Sequence, residues 1–133
     1  MSGFRSPPVI SGGTIRPARI VKLSTAADNT VLEAAAATTL VYGVAQEGTQ
    51  DAPTDGASVN AAEAGDQVEI HTMGESCLVE AGATFTAGVQ LMSDSSGRAI
   101  TATAGNYVAG VSLKAGAVGE LVLIQVTPGF LET

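Results

Sequence analysis

Short apolar runs alternate with turn-forming residues along most of this chain. Over residues 82–126, GATFTAGVQLMSDSSGRAITATAGNYVAGVSLKAGAVGELVLIQV, runs of Val, Leu, Ile and Thr are interrupted at Gly88, Ser95-Ser96-Gly97, Ala104-Gly105-Asn106 and Gly116 to Gly119. Runs bounded in this way predict strands joined by tight turns, arranged as an antiparallel meander. Val89-Gln90-Leu91-Met92 and Leu121 to Val126 alternate well, one face being more apolar than the other. No segment there has the length or period of a packed helix.

The first half reads as a looser copy of the second. Val21-Lys22-Leu23-Ser24 corresponds to Val89-Gln90-Leu91-Met92, and Leu40-Val41-Tyr42-Gly43-Val44 to Tyr107-Val108-Ala109-Gly110-Val111. Ala64 to Ile70 corresponds to Val118 to Ile124. The main difference is a polar insertion, Gly48 to Glu63, whose Pro53, Asp55-Gly56 and Asn60 predict a long surface loop. Leu32 to Ala37 has the composition of a helix, with Asp28 or Asn29 as its cap, but its counterpart near Arg98 to Thr103 reads as a strand. The expectation is a strand at 31–34 followed by a turn or one short helical turn. Gln67 to Met73 and Ser76 to Glu80 predict a hairpin about Gly74-Glu75.

The fold class that follows is all-β: a compact barrel-like or sandwich module of two degenerate half-repeats. It carries an extended N-terminal arm and at most one or two short helical turns. The expected divisions are an arm at 1–13, the β-module at 14–127 and a tail at 128–133. Ser6-Pro7-Pro8 imposes an extended path on the arm, and Ser11-Gly12-Gly13 gives it a joint. Phe4, Val9 and Ile10 are apolar residues on a segment too short to bury them. With Arg5, Pro7 and Pro8 they make a candidate docking segment. Phe130 and Leu131, beyond Pro128-Gly129, are candidate contacts with a second copy.

Composition sharpens this picture. The 133 residues fit one domain, but the 45% hydrophobic fraction is rich in Ala and only 4% of residues are aromatic, with no Trp. A thin aliphatic core with many strand edges favours self-association. The net charge is −7, and four of the six basic residues (Arg5, Arg16, Arg19, Lys22) fall in the first 22 positions. A basic leader on an acidic body suggests two surfaces with different partners. No basic stripe interleaved with aromatics points to nucleic acid. No apolar run approaches membrane-spanning length and no signal-peptide core is visible, so a soluble protein made in a cytosol is expected.

Candidate chemistry is sparse. His71 is the only histidine, and no nucleophile-elbow motif surrounds any serine, Ser76 included. Cys77, the only cysteine, cannot form an intrachain disulfide and reads as a small strand residue. Asp51, Asp55, Glu63 and Asp66 lack the spacing of a calcium loop, and Gly12-Gly13-Thr14 lacks the lysine and helix of a phosphate cradle. The expectation is a non-enzyme without metal or cofactor.

The succession Val21-Lys22-Leu23, Tyr42-Gly43-Val44-Ala45, Gly65-Asp66-Gln67-Val68, Ala87 to Leu91, Asp94 to Arg98, Val108 to Leu113 and Gly119-Glu120-Leu121-Val122 resembles the capsid cement, or head decoration, proteins of tailed bacteriophages. The resemblance covers about residues 14–126. It implies a β-barrel-like structural protein, usually a homotrimer, on the outer capsid surface of the virion, assembled in the host cytoplasm. Its partners would be the major capsid protein and itself, with neither nucleic acid nor membrane. The family's extended N-terminal arm matches the segment at Pro7-Pro8, while the 48–63 loop is less usual. Two other classes remain open: a non-catalytic carbohydrate-binding β-module, for which stacking aromatics are scarce, and a carrier domain, for which Lys114 is the candidate modified residue.

Overall fold

The computed structural model describes residues 9–38, 40–45, 65, 67–68 and 70–131. Among these no residue is helical, and eleven strands make two sheets. The first half contributes β1 (Val9–Ser11), β2 (Ile20–Leu23), β3 (Thr30–Glu33), β4 (Val41–Ala45), β5 (Gln67–Val68) and β6 (Ile70–His71), in spatial order β5-β1-β3-β2-β4-β6. The second contributes β7 (Ser76–Glu80), β8 (Gln90–Ser93), β9 (Ala99–Thr101), β10 (Tyr107–Ser112) and β11 (Leu121–Phe130), in order β7-β11-β10-β8-β9. The all-β class follows from the sequence pattern. The simple meander does not: β9 and β10 flank β8 instead of following it in order.

Each half curls on itself. In the first, β5 and β6 are separated by one residue yet lie at opposite edges of the sheet. In the second, an Ala81–Ala99 bridge joins the two outermost strands, β7 and β9. Curling removes most of the exposed strand edge that an open sheet would leave.

The halves are structural duplicates. The parallel Ser11–Val31 pair matches the parallel Ala81–Ala99 bridge. Gly12 N–H donates to the Val31 carbonyl at 2.9 Å, as Gly82 N–H does to Ala99 at 2.8 Å. Gly65 N–H donates to Ser11 at 2.8 Å, as Gly119 N–H does to Ala81 at 2.9 Å. Two of the three expected alignments hold in register, Gly43 with Gly110 and Gln67-Val68 with Leu121-Val122. The third slips by two residues. Val21 lies opposite Gly43 as Leu91 lies opposite Gly110, so Val21 corresponds to Leu91, not Val89. A two-residue slip keeps the same face inward, so the apolar alternation could not reveal it.

Equivalent positions fill the two interiors. Val9, Ile15, Val21, Val31, Ala45 and Ile70 form one buried cluster. Their counterparts Val79, Phe85, Leu91, Ala99 and Ile124 lie in the other, with buried Ser112 in place of Ala45. Ile20, Ala34, Val41 and Val44 join the second cluster, so the halves share a core.

Two further expectations are corrected. The arm does not extend to Gly13: Val9–Ser11 is a strand, held between β5 and β3, and Val9 is 4% exposed. Gly74-Glu75 is a turn but not a hairpin, because β6 pairs with β4 while β7 pairs with β11. The strand expected at 31–34 is present as β3, Thr30–Glu33, and Asn29, a cap candidate had a helix formed there, is a left-handed turn residue at φ 51°.

Candidate interaction surface

The residues with potential for chemistry are scattered. His71 lies in β6 opposite Val44, whereas Ser76 opens β7 opposite Gln125 in the other sheet. Cys77 is buried, and burial, with a smaller contribution from Glu75, pushes its thiol up to about 12. A thiol so placed is protonated at neutral pH and is a poor nucleophile. Among the described residues no group of three or more His, Cys, Asp or Glu could hold a metal ion. Asp51, Asp55, Glu63 and Asp66 lie outside the described residues. Lys114 is exposed in the connection between β10 and β11.

The charged residues that do meet bind one half to the other. Arg19, its side chain 9% exposed, reaches Glu80 at 3.2 Å and donates to the Ser96 carbonyl at 2.8 Å. Arg16 pairs with Glu33 at 2.6 Å and donates to the same carbonyl at 3.2 Å. Arg98 closes the network on Asp94 at 3.2 Å and on Glu80 at 3.8 Å. Asp94 also accepts from the backbone N–H groups of Ser96 and Arg98, which fixes the 94–98 turn. This network is a fastening between repeats rather than a binding site.

The apolar surface is concentrated in two places. One is the outer face of the second sheet, where Leu113, Leu121 and Leu123 are 44%, 50% and 36% exposed and Val118 is exposed nearby. The inward residues of the same strand, Val122, Ile124 and Val126, are buried. A strand apolar on both sides is the pattern of one covered on both sides. The duplicate half provides a control, since Leu121 and Leu123 correspond to Gln67 and to position 69, which is Glu. The fold therefore does not require leucine there. Sequence reasoning passed over this face, although the unbroken run Leu121-Val122-Leu123-Ile124 carries the signal.

The other is a groove of about 450 Å³ lined mainly by Leu23, Leu40, Val41, Tyr42, Met73 and Pro128. Of the expected site residues, Ile10 is 43% exposed on β1, while Val9 is committed to the chain's own core. Phe4, Arg5, Pro7 and Pro8 lie outside the described residues. Phe130 remains 52% exposed although its ring meets Tyr107 edge-on at 5.0 Å, and Leu131 follows it, partly buried.

No family model matches this sequence, and no curated protein matches it. Among solved structures, the fold is similar to that of the crystal structure of the head fiber gp8.5 N base of bacteriophage phi29. That similarity has a TM-score of 0.63 at 20% sequence identity and covers 95% of this chain and 96% of the other. At this identity the likeness establishes the fold.

Proposed function

We propose that this is a structural protein of a bacteriophage head, seated on the outer surface of the capsid and bridging neighbouring major capsid proteins. The observation that carries the reading is the near-complete, end-to-end match to the base of a phage head fiber. The sequence resemblance to head decoration proteins points to the same location. The protein acts by binding, as a homotrimer on the virion surface, without catalysis or cofactor. It is assembled in the host cytoplasm.

Two segments are assigned to the two contacts. The leader, with Phe4, Arg5, Pro7, Pro8 and the exposed Ile10, reaches the capsid protein; Val9 anchors it in the first sheet. Ordering so short a leader costs an amount of backbone entropy, about 1–2 kcal/mol per residue, comparable to what its few apolar side chains return. One leader therefore binds weakly. Several leaders on one oligomer bind far more tightly through effective concentration. Self-association uses the outer face of Leu113, Leu121 and Leu123, with Phe130 and Leu131 contributing where the second sheet ends.

Deleting residues 1–8 tests the reading. The shortened chain should remain folded and oligomeric but fail to co-sediment with shells built from the phage's own major capsid protein. Decoration at full occupancy by the shortened chain would overturn the role of the leader. No binding of the full chain to those shells would overturn the function itself.

A further inference from the structure

In the second half β11 continues past Val126, so that Gly129 lies opposite Val108 and Phe130 opposite Tyr107. The Tyr107 and Phe130 rings then meet edge to face. The first half lacks this extension. Its counterpart β6 pairs with Val44 and Ala45, after which the turn at Thr72–Glu75 carries the chain away to β7. Beside the start of β4 lies the apolar groove instead. Leu40 stands in the register position of Tyr107 and is 58% exposed, and Met73 is 69% exposed. Among the described residues nothing takes the place that Gly129-Phe130 takes in the other half.

We propose that in the free protein this groove receives the chain's own leader, with Phe4 seated among Leu23, Leu40 and Met73. The leader joins the sheet at the correct end. Ile10 N–H donates to the Asn29 carbonyl at 2.8 Å, so β1 begins beside the 24–30 turn. Leu23 ends β2 and Val41 begins β4 at that same end. By strand spacing, β2 is about 10 Å and β4 about 14 Å from β1. The five steps from Phe4 to Val9 span up to about 17 Å when extended, which is sufficient. Pro7-Pro8 keeps the crossing extended and lowers the entropy lost on docking. The leader also carries the right residues: Gly3-Phe4 repeats the order of Gly129-Phe130, a small residue that lets the backbone approach and an aromatic that covers the apolar floor.

The inference deepens the reading of the leader as the head-binding segment and rests on it for its biological consequence. The same residues have two seats, and binding the shell requires leaving the first. If about nine-tenths of leaders are docked, apparent shell affinity is lowered about 10-fold.

The test uses the full chain with a nitroxide on Ser2→Cys; Cys77, buried and protonated, does not compete for the label. Methyl signals of Leu23, Leu40 and Met73 should broaden several-fold. The broadening should persist when labelled chains are diluted tenfold with unlabelled ones, and should disappear in Phe4→Ser. Absence of broadening, broadening confined to Leu121 and Leu123, or broadening lost on dilution would each overturn the proposal. The last result would assign the groove to a neighbour's leader. Met73→Glu should free the leader and tighten shell binding about 10-fold. Broadening with no such gain would uphold the groove contact and refute the leader's role on the shell.

Discussion

Gly43 and Gly110 occupy the same place in the two halves, and a neighbouring carbonyl explains both. A Cβ on Gly43 would collide with the carbonyl of His71, and one on Gly110 with that of Gln125, the duplicate position. Gly43→Ala or Gly110→Ala should cost about 1–3 kcal/mol, read as a fall in the urea midpoint at unchanged slope. Gly97 is constrained differently: φ is +78° and a Cβ would lie 3.0 Å from Glu33 Cγ and 3.2 Å from the Ala34 carbonyl. Its duplicate, Asn29, holds φ 51° in an exposed turn. Gly97→Ala should therefore destabilise clearly, while Asn29→Gly stays within about 0.5 kcal/mol of the parent. Cys77 supplies a pH signature. Its folded value near 12 lies above the ordinary 9.0, so the thiol's contribution is present below pH 9 and is lost as pH rises from about 9 towards 12. Urea unfolding at pH 8 and pH 10.5 should show that loss, and Cys77→Ala should reduce it. At this scale the shared Gly-Val was legible in the sequence, but the carbonyl that demands it was not, because it belongs to a strand 15 to 28 residues away in the chain.

The fastening between the repeats depends on one buried cation. Glu80 and the Ser96 carbonyl hold the Arg19 guanidinium, and Arg19 Nε has no hydrogen-bond partner among the described residues. Glu80→Gln leaves that charge without its counterion and should cost about 2–3 kcal/mol, less than a fully buried pair because Glu80 is partly solvated. Arg19→Met combined with Glu80→Leu should cost less than Glu80→Gln alone, since no unpaired charge remains. Denaturant unfolding of the three variants measures both effects. Strand identity was largely readable from apolar runs and turn residues, as β8, β10 and β11 illustrate. Strand partners were not. The turn at Gly74 was visible, but whether β7 would return along β6 or cross to β11 depends on which edge is open in three dimensions. The both-sided apolarity of β11 was likewise present in the letters, but it acquires meaning only beside the polar Gln67 and Glu69 of its duplicate.

At the scale of the whole molecule, the boundary between leader and body falls at Val9, not at Gly13. Removing residues 1–8 leaves every described member of both interiors in the chain. Removing 1–13 also takes away β1, with buried Val9 and Ser11 and the pairings to β3 and β5. The longer deletion should lose cooperative thermal unfolding, whereas the shorter one keeps it. On the proposed self-association through the outer face of β11, Leu121→Lys with Leu123→Glu should give a folded monomer by light scattering, while Lys22→Glu, on a different strand, should not. The all-β class and the internal duplication were legible because they rest on local patterning; the shared core and the curl of each half were not, because they depend on contacts between distant strands. The duplication also separates what the architecture needs from what it tolerates. Between β10 and β11 the chain passes through 113–120, but between β4 and β5 it passes through 46–66, so one architecture accepts connections of very different length at the same point. That connection is a natural port for foreign peptides. If the protein coats a capsid as proposed, a peptide grafted there would be displayed once per copy, in a dense and regularly spaced array.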